Sequence, residues 1–189
     1  QPKTGSRPII ADNLGNTIFG SIEVGSSTVG HTWFTFIETH KASALSIVRS
    51  IGFFPIEDVD PYVNSSSKGI ASNDGGRNAD VQLIFDVTAA GFFKLLANCS
   101  IANNEYYDIY SNNCTGWSLK KLRDAWQVSL PETLDQFFVG TDKGPTPGNL
   151  GEDLRYLDMS TIGNPPHVQR VNKITQPRKS LLNAGNCSK

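Results

Sequence analysis

An α+β fold, with an antiparallel sheet packed on helices, is predicted by three features of the 189-residue chain. Two runs rich in β-branched and aromatic residues, GHTWFTFIE and LSIVRSIGFFP, are joined by a connection too short for a crossover, so they pair antiparallel. Two later stretches, AAGFFKLLANC and NCTGWSLKKLRDAW, carry apolar residues at helical spacing. The order of strands, helix, strand, helix then points away from an alternating α/β chain.

Residues 1–16 read as an irregular lead-in, and TIFGSIEVG as a short strand or two broken by glycine, with Ile18, Ile22 and Val24 as its apolar positions. In GHTWFTFIE, Thr32, Phe34 and Phe36 fall on one face and Trp33, Thr35 and Ile37 on the other, which is the composition of a strand covered on both sides. The turn near Lys41 and Ala42 leads to the second strand, ended by Pro55. Residues 56–78 are dense in Ser, Asn, Asp and Gly and read as a long surface excursion. DVQLIFDVT is a third strand. Thr88 is the expected N-cap of the helix that follows it, with Phe92, Leu95 and Leu96 at helical spacing. EYYDIYS is a short extended segment, and the helix beginning near Asn113 or Cys114 is amphipathic, with Lys120, Lys121, Arg123 and Asp124 toward water. One short helix is predicted around 133–138. The whole reads as one domain, 1–189, with its motifs in about 18–126 and an irregular C-terminal extension over 127–189. Within that extension the Pro-Gly stretch near Gly144 to Gly151 is a candidate lid or specificity loop.

Composition narrows the function classes. Seventeen basic against eighteen acidic residues leave a formal charge of -1, so neither a polyanion partner nor electrostatic adhesion to a membrane is expected. No apolar run approaches the ~20 residues of a membrane span, and the opening QPKTGSRPII lacks the apolar core of a signal peptide. The absence of an initial Met points to a processed form or to a piece of a longer protein. Three cysteines, Cys99, Cys114 and Cys187, allow one disulfide and one free thiol, or three free thiols. If a bridge forms, Cys99 with Cys187 is the pair that leaves Cys114 reduced and staples a polar tail. No zinc pattern and no cofactor motif is present.

Cys114 stands between an extended segment and a helix. A thiol at a helix N-terminus with an imidazole nearby loses its proton readily and becomes a nucleophile. First-turn N–H groups around Asn113, Thr115 and Gly116 can also hold an oxyanion, and Gly116 lets a substrate backbone approach. The plainer alternative is a helix capped by Asn112 or Asn113 with the thiol packed inside. Of three histidines, His40 lies in a polar turn and His167 in a breaker-rich tail. His31 opens a strand directly after Gly30, so its ring can stand at the end of the sheet, with Trp33 anchoring the strand behind it and available to line a cleft.

His31 in GHTWFTF, the closing GFFP, the extended YYDIY and then NNCTGW starting a helix together resemble the papain-like superfamily in its circularly permuted form, where His precedes Cys. They are similar in particular to NlpC-type cell-wall peptidases and to type VI secretion amidase effectors. The similarity covers about residues 18–126. It implies a papain-like cysteine amidase or endopeptidase, with no metal or cofactor, that cleaves amide bonds in peptidoglycan stem peptides. It also implies a secreted antibacterial toxin acting in the periplasm of a target bacterium, with a cognate immunity protein and a secretion-apparatus carrier as partners. Such enzymes place a polar third residue on the next strand to orient the imidazole. Ser50 is the expected orienter, with a simple dyad, Glu38 or a backbone carbonyl as alternatives; Asp58 and Asp60 read as solvated loop acids. Two other readings stay open: a papain-like thiol acyltransferase or hydrolase acting on lipid or protein conjugates, and a non-enzymatic cell-surface binding module in which Cys114 is structural.

Overall fold

The computed structural model of the chain describes residues 10–11, 17–18, 30–39, 46–76, 78–79, 81–136, 142–158, 162, 168–174 and 178–179. Ile22, Val24, His40, the turn near Lys41, His167 and Cys187 lie outside them. The elements in chain order are β1 (Ile10–Ala11), β2 (Thr17–Ile18), β3 (Trp33–Thr39), β4 (Ser46–Pro55), β5 (Ser66–Asn73), β6 (Asn78–Ala79), β7 (Gln82–Val87), α1 (Ala89–Ser100), a 3-10 turn at Ala102–Asn104, β8 (Tyr106–Asp108), α2 (Cys114–Trp126), β9 (Leu134–Gln136), β10 (Lys143–Pro145), α3 (Pro147–Arg155), β11 (Val168–Ile174) and β12 (Arg178–Lys179). The fold is α+β.

A four-stranded antiparallel sheet, in the order β3-β4-β5-β8, carries the molecule. The predicted hairpin forms its first half, with Trp33 opposite Gly52 and Thr35 opposite Ser50. Coverage on both sides, expected for β3, belongs instead to its neighbour. In β4, Val48, Ser50 and Phe53 are all buried, whereas Ile37 on the edge strand β3 is half exposed. An interior strand has both faces to bury; an edge strand does not.

The segment 56–78, read as a surface excursion, contains the sheet's third strand. β5, with the sequence SSKGIASN, lacks the bulky alternation that marks a strand, and the reason is steric. A Cβ on Gly69 would lie only 2.1 Å from Phe53 Cζ, so the Phe53 ring crosses β5 where no side chain stands. The Gly69 N–H still donates to the Glu105 carbonyl at 2.8 Å. Packing of a large ring against a strand of small residues replaced the usual hydrophobic signal.

The helices cover one face of this sheet. Thr88 caps α1 as expected, its hydroxyl accepting from the Gly91 N–H. α2 buries Trp117 completely, stacked on Phe53 at 5.0 Å between centroids, with Phe34 at 5.9 Å. Trp126 Nε1 donates to the Gly91 carbonyl at 2.8 Å and ties the end of α2 to the start of α1. β7 pairs with β11, and Phe85 brings that ribbon against Trp126. The core thus centres on α2, whose first residue is Cys114.

The C-terminal part is more regular than predicted. No helix forms from Thr133; its N–H and hydroxyl both go to the Asp153 carboxylate, and Leu134–Gln136 pairs as a strand with Lys143–Pro145. The Pro-Gly stretch is a strand end followed by a helix. Thr146 caps α3 and Pro147 occupies its first turn, where the missing N–H does no harm. Cys99 is a free thiol packed in the core; its suggested partner Cys187 lies outside the described residues. Among the described residues no helix is long and apolar enough to cross a membrane.

Candidate functional site

Cys114 and His31, 83 positions apart, meet at the head of α2. β3 starts at Trp33, and the two residues before it run alongside the first turn of α2. Thr32 Oγ1 lies 2.9 Å from Thr115 Oγ1, a hydroxyl pair that joins strand to helix. The imidazole of His31 then hydrogen-bonds Cys114, and the Thr32 N–H and the Thr115 hydroxyl also reach the sulfur. Only 4% of Cys114 is exposed, yet its surroundings are polar rather than hydrocarbon. The His31 side chain is more open, at 11%.

The far side of the imidazole meets a carboxylate. His31 Nε2 is 2.6 Å from Asp74 Oδ2, and the Asp74 side chain is fully buried. Such a separation suits an imidazolium–carboxylate ion pair. Asp74 follows directly on β5, and its N–H donates to the Ser50 carbonyl at 3.1 Å, which fixes the carboxylate next to β4. The ring is also held between aromatics: Phe54 stacks on it at 4.5 Å, and Trp33 lies parallel at 6.1 Å. Trp33 therefore flanks the imidazole, where sequence reasoning expected a cleft wall.

Each ionisation follows from this packing. Burial by itself would lower the His31 pKa, but the Cys114 thiolate and the Asp74 carboxylate overcome it and push it up to about 9. Burial would raise the Cys114 pKa, and the imidazolium, the Thr32 N–H and the Thr115 hydroxyl reverse that, so the thiol falls below its ordinary value. Thiolate and imidazolium stabilise one another. Cys99 shows the contrast: burial, which the nearby Lys121 ammonium offsets only in part, pushes it up to about 12, well out of nucleophilic range.

Several predicted roles move. Ser50 is buried and faces Thr35, with the two hydroxyls 2.9 Å apart, because the β3–β4 register sets them opposite; the side chain against Nε2 is Asp74. Asn113 is the helix cap. Its Oδ1 accepts from the N–H groups of Thr115 and Gly116 at 2.9 and 3.1 Å, so those two donors are already used and do not face an oxyanion. Its Nδ2 donates to the carbonyls of Ile109 and Pro145. A Cβ on Gly116 would meet the Ser111 carbonyl oxygen and Pro145 Cγ at 3.2 and 3.3 Å, so the glycine admits neighbouring chain rather than substrate. Thr115, fully buried, serves the sulfur through its hydroxyl. The first-turn donor outside the cap is the Cys114 N–H, and it hydrogen-bonds the Tyr107 phenol. Burial, followed by the nearby Cys114 charge, pushes the Tyr107 pKa up, which keeps the phenol protonated.

Sequence reasoning missed Asp74 and assigned Tyr107 no part in the chemistry. The Asn-Asp-Gly-Gly run around Asp74 reads as a turn and hides the strand before it. Comparison of the chain with protein-family models, curated proteins and solved structures gave no match, so the site is read from its own geometry.

Proposed function

We propose that this chain is a papain-like cysteine hydrolase that cleaves amide bonds, with Cys114 as nucleophile, His31 as acid–base and Asp74 as orienter. The observation that carries the reading is a thiol at a helix head, hydrogen-bonded to an imidazole that a buried carboxylate grips from the other side. The thiolate attacks the carbonyl carbon of the scissile amide. The developing oxyanion is stabilised by the Tyr107 hydroxyl, a donor in a poorly solvated site whose own oxygen is held by the Cys114 N–H. The imidazolium of His31 gives its proton to the leaving amine, and the acyl group stays on sulfur. His31, now neutral, takes a proton from water, hydroxide attacks the thioester, and the carboxylic acid product leaves with the thiolate restored. Asp74 fixes the ring so that the other nitrogen faces sulfur throughout.

The substrate class rests on the resemblance of GHTWFTF and NNCTGW to cell-wall amidases: the stem peptides of peptidoglycan, in a secreted antibacterial setting with an immunity protein as partner. Digestion of purified peptidoglycan by the wild-type chain, with the fragments resolved by mass, tests it. New amide-cleavage fragments that vanish in Cys114→Ala and His31→Ala, both folded by circular dichroism, are the expected result. Intact peptidoglycan after prolonged wild-type digestion would remove the substrate assignment.

A further inference from the structure

Gly52 lies in the middle of β4, opposite Trp33, in a stretch otherwise filled by Ile51, Phe53 and Phe54. A glycine inside a buried strand weakens the strand unless something occupies the place of its side chain. Here a Cβ would fall 2.1 Å from Asp74 Oδ2, 2.3 Å from His31 Nε2 and 2.9 Å from Phe54 Cε2. These are the two atoms of the ion pair and the ring that stacks on His31. All three belong to side chains, none to backbone.

The geometry points to Gly52 as a positioning residue: its missing side chain is the space in which the Asp74 carboxylate and the His31 imidazole meet. This rests on the catalytic reading of the same three side chains and deepens it, because it assigns the orientation of the imidazole to a backbone position on β4. Gly52 touches no reacting atom. Any Cβ there must part Oδ2 from Nε2, since contacts this short are not tolerated, and the obstructing atoms can move only by giving up their contact with each other. The thiolate of Cys114, which depends on the imidazolium, then becomes harder to form. The three nearest obstacles are all side-chain atoms, so the effect falls on the pair rather than on the strand.

The test needs no substrate. Iodoacetamide alkylation of Cys114, followed by peptide mass against pH, is measured for wild type, Gly52→Ala, Asp74→Ala and the double variant, with circular dichroism for folding. Gly52→Ala is expected to move the acid limb of Cys114 alkylation up by about one pH unit, tenfold in proton affinity, and Asp74→Ala to do the same. The double variant moves it no further, since both act through one contact. A wild-type limb in folded Gly52→Ala, or additive shifts in the double variant, would overturn the inference. If Gly52→Ala alone fails to fold, recovery of folding in the double variant supports the proposal; failure of both shows that the glycine serves the sheet and overturns it. On a cleavable amide, kcat falls while KM holds. A wild-type chain that alkylates as described but leaves peptidoglycan intact loses the substrate assignment and keeps this one.

Discussion

Replacing Asp74 by Asn keeps the shape of the group against His31 Nε2 and removes its charge. The His31 pKa stands at about 9 against an ordinary 6.5, which corresponds to ~3 kcal/mol favouring the imidazolium. That figure is net of burial, which opposes it, and Cys114 supplies the larger share of the favourable part. A hydrogen bond to a charged group contributes ~1.5–3 kcal/mol, or about one to two pH units. In Asp74→Asn the imidazole is therefore expected to titrate at roughly 7–8. The sign follows from the chemistry: the leaving amine needs the imidazolium proton, so the alkaline limb of kcat/KM moves down with the His31 pKa. On the acid side the ring is fully protonated in both proteins, so the limb set by the Cys114 thiolate stays near its wild-type position. The bell narrows from its alkaline end. NMR titration of the His31 ring alongside kcat/KM from pH 4 to 10 checks this. An alkaline limb that stays near its wild-type position in a folded Asp74→Asn, or a bell that shifts without narrowing, would refute the assignment of Asp74.

Tyr107→Phe should lower kcat about 100-fold with KM little changed, the usual consequence of removing one oxyanion donor; an unchanged kcat would return Tyr107 to a packing role. Asn113→Ala removes the cap, ~1 kcal/mol, and leaves the buried Pro145 carbonyl without its Asn113 donor, another ~1–3 kcal/mol, so urea unfolding should show a loss of roughly 2–4 kcal/mol. With iodoacetamide at pH 6, Cys114 should react well ahead of Cys99, whose thiol is pushed up to about 12. Equal labelling of the two in the folded protein would contradict the thiolate–imidazolium pair.

The parts of the site that were legible in the sequence were those marked by local signals. His31 begins a run of aromatic and β-branched residues, and Cys114 begins a run with helical spacing behind two asparagines, so each could be placed on its element without knowing the other. The hairpin was legible too, but a register cannot be counted from a turn whose ends are uncertain. Placing Ser50 opposite His31 required a pairing four positions away from Trp33–Gly52 and Thr35–Ser50. Asp74 stayed hidden because β5 carries its information in Phe53: the strand consists of small residues where a ring from the neighbouring strand lies across it, and that exchange of bulk is visible only in three dimensions. α3 was obscured by its own start signal. Thr146 and Pro147 cap and open a helix, yet in company with Gly144, Gly148 and Gly151 they resemble a loop.

The bond from Asn113 Nδ2 to the Pro145 carbonyl spans 32 positions and is 2.7 Å long. It makes the residue that organises the nucleophile's helix answerable to chain far downstream. A fragment trimmed at Trp126 would keep the thiol, the imidazole and the carboxylate and still lack the buttress behind them. Dissecting this molecule by its motifs would therefore cut through a support of the very turn that presents the sulfur.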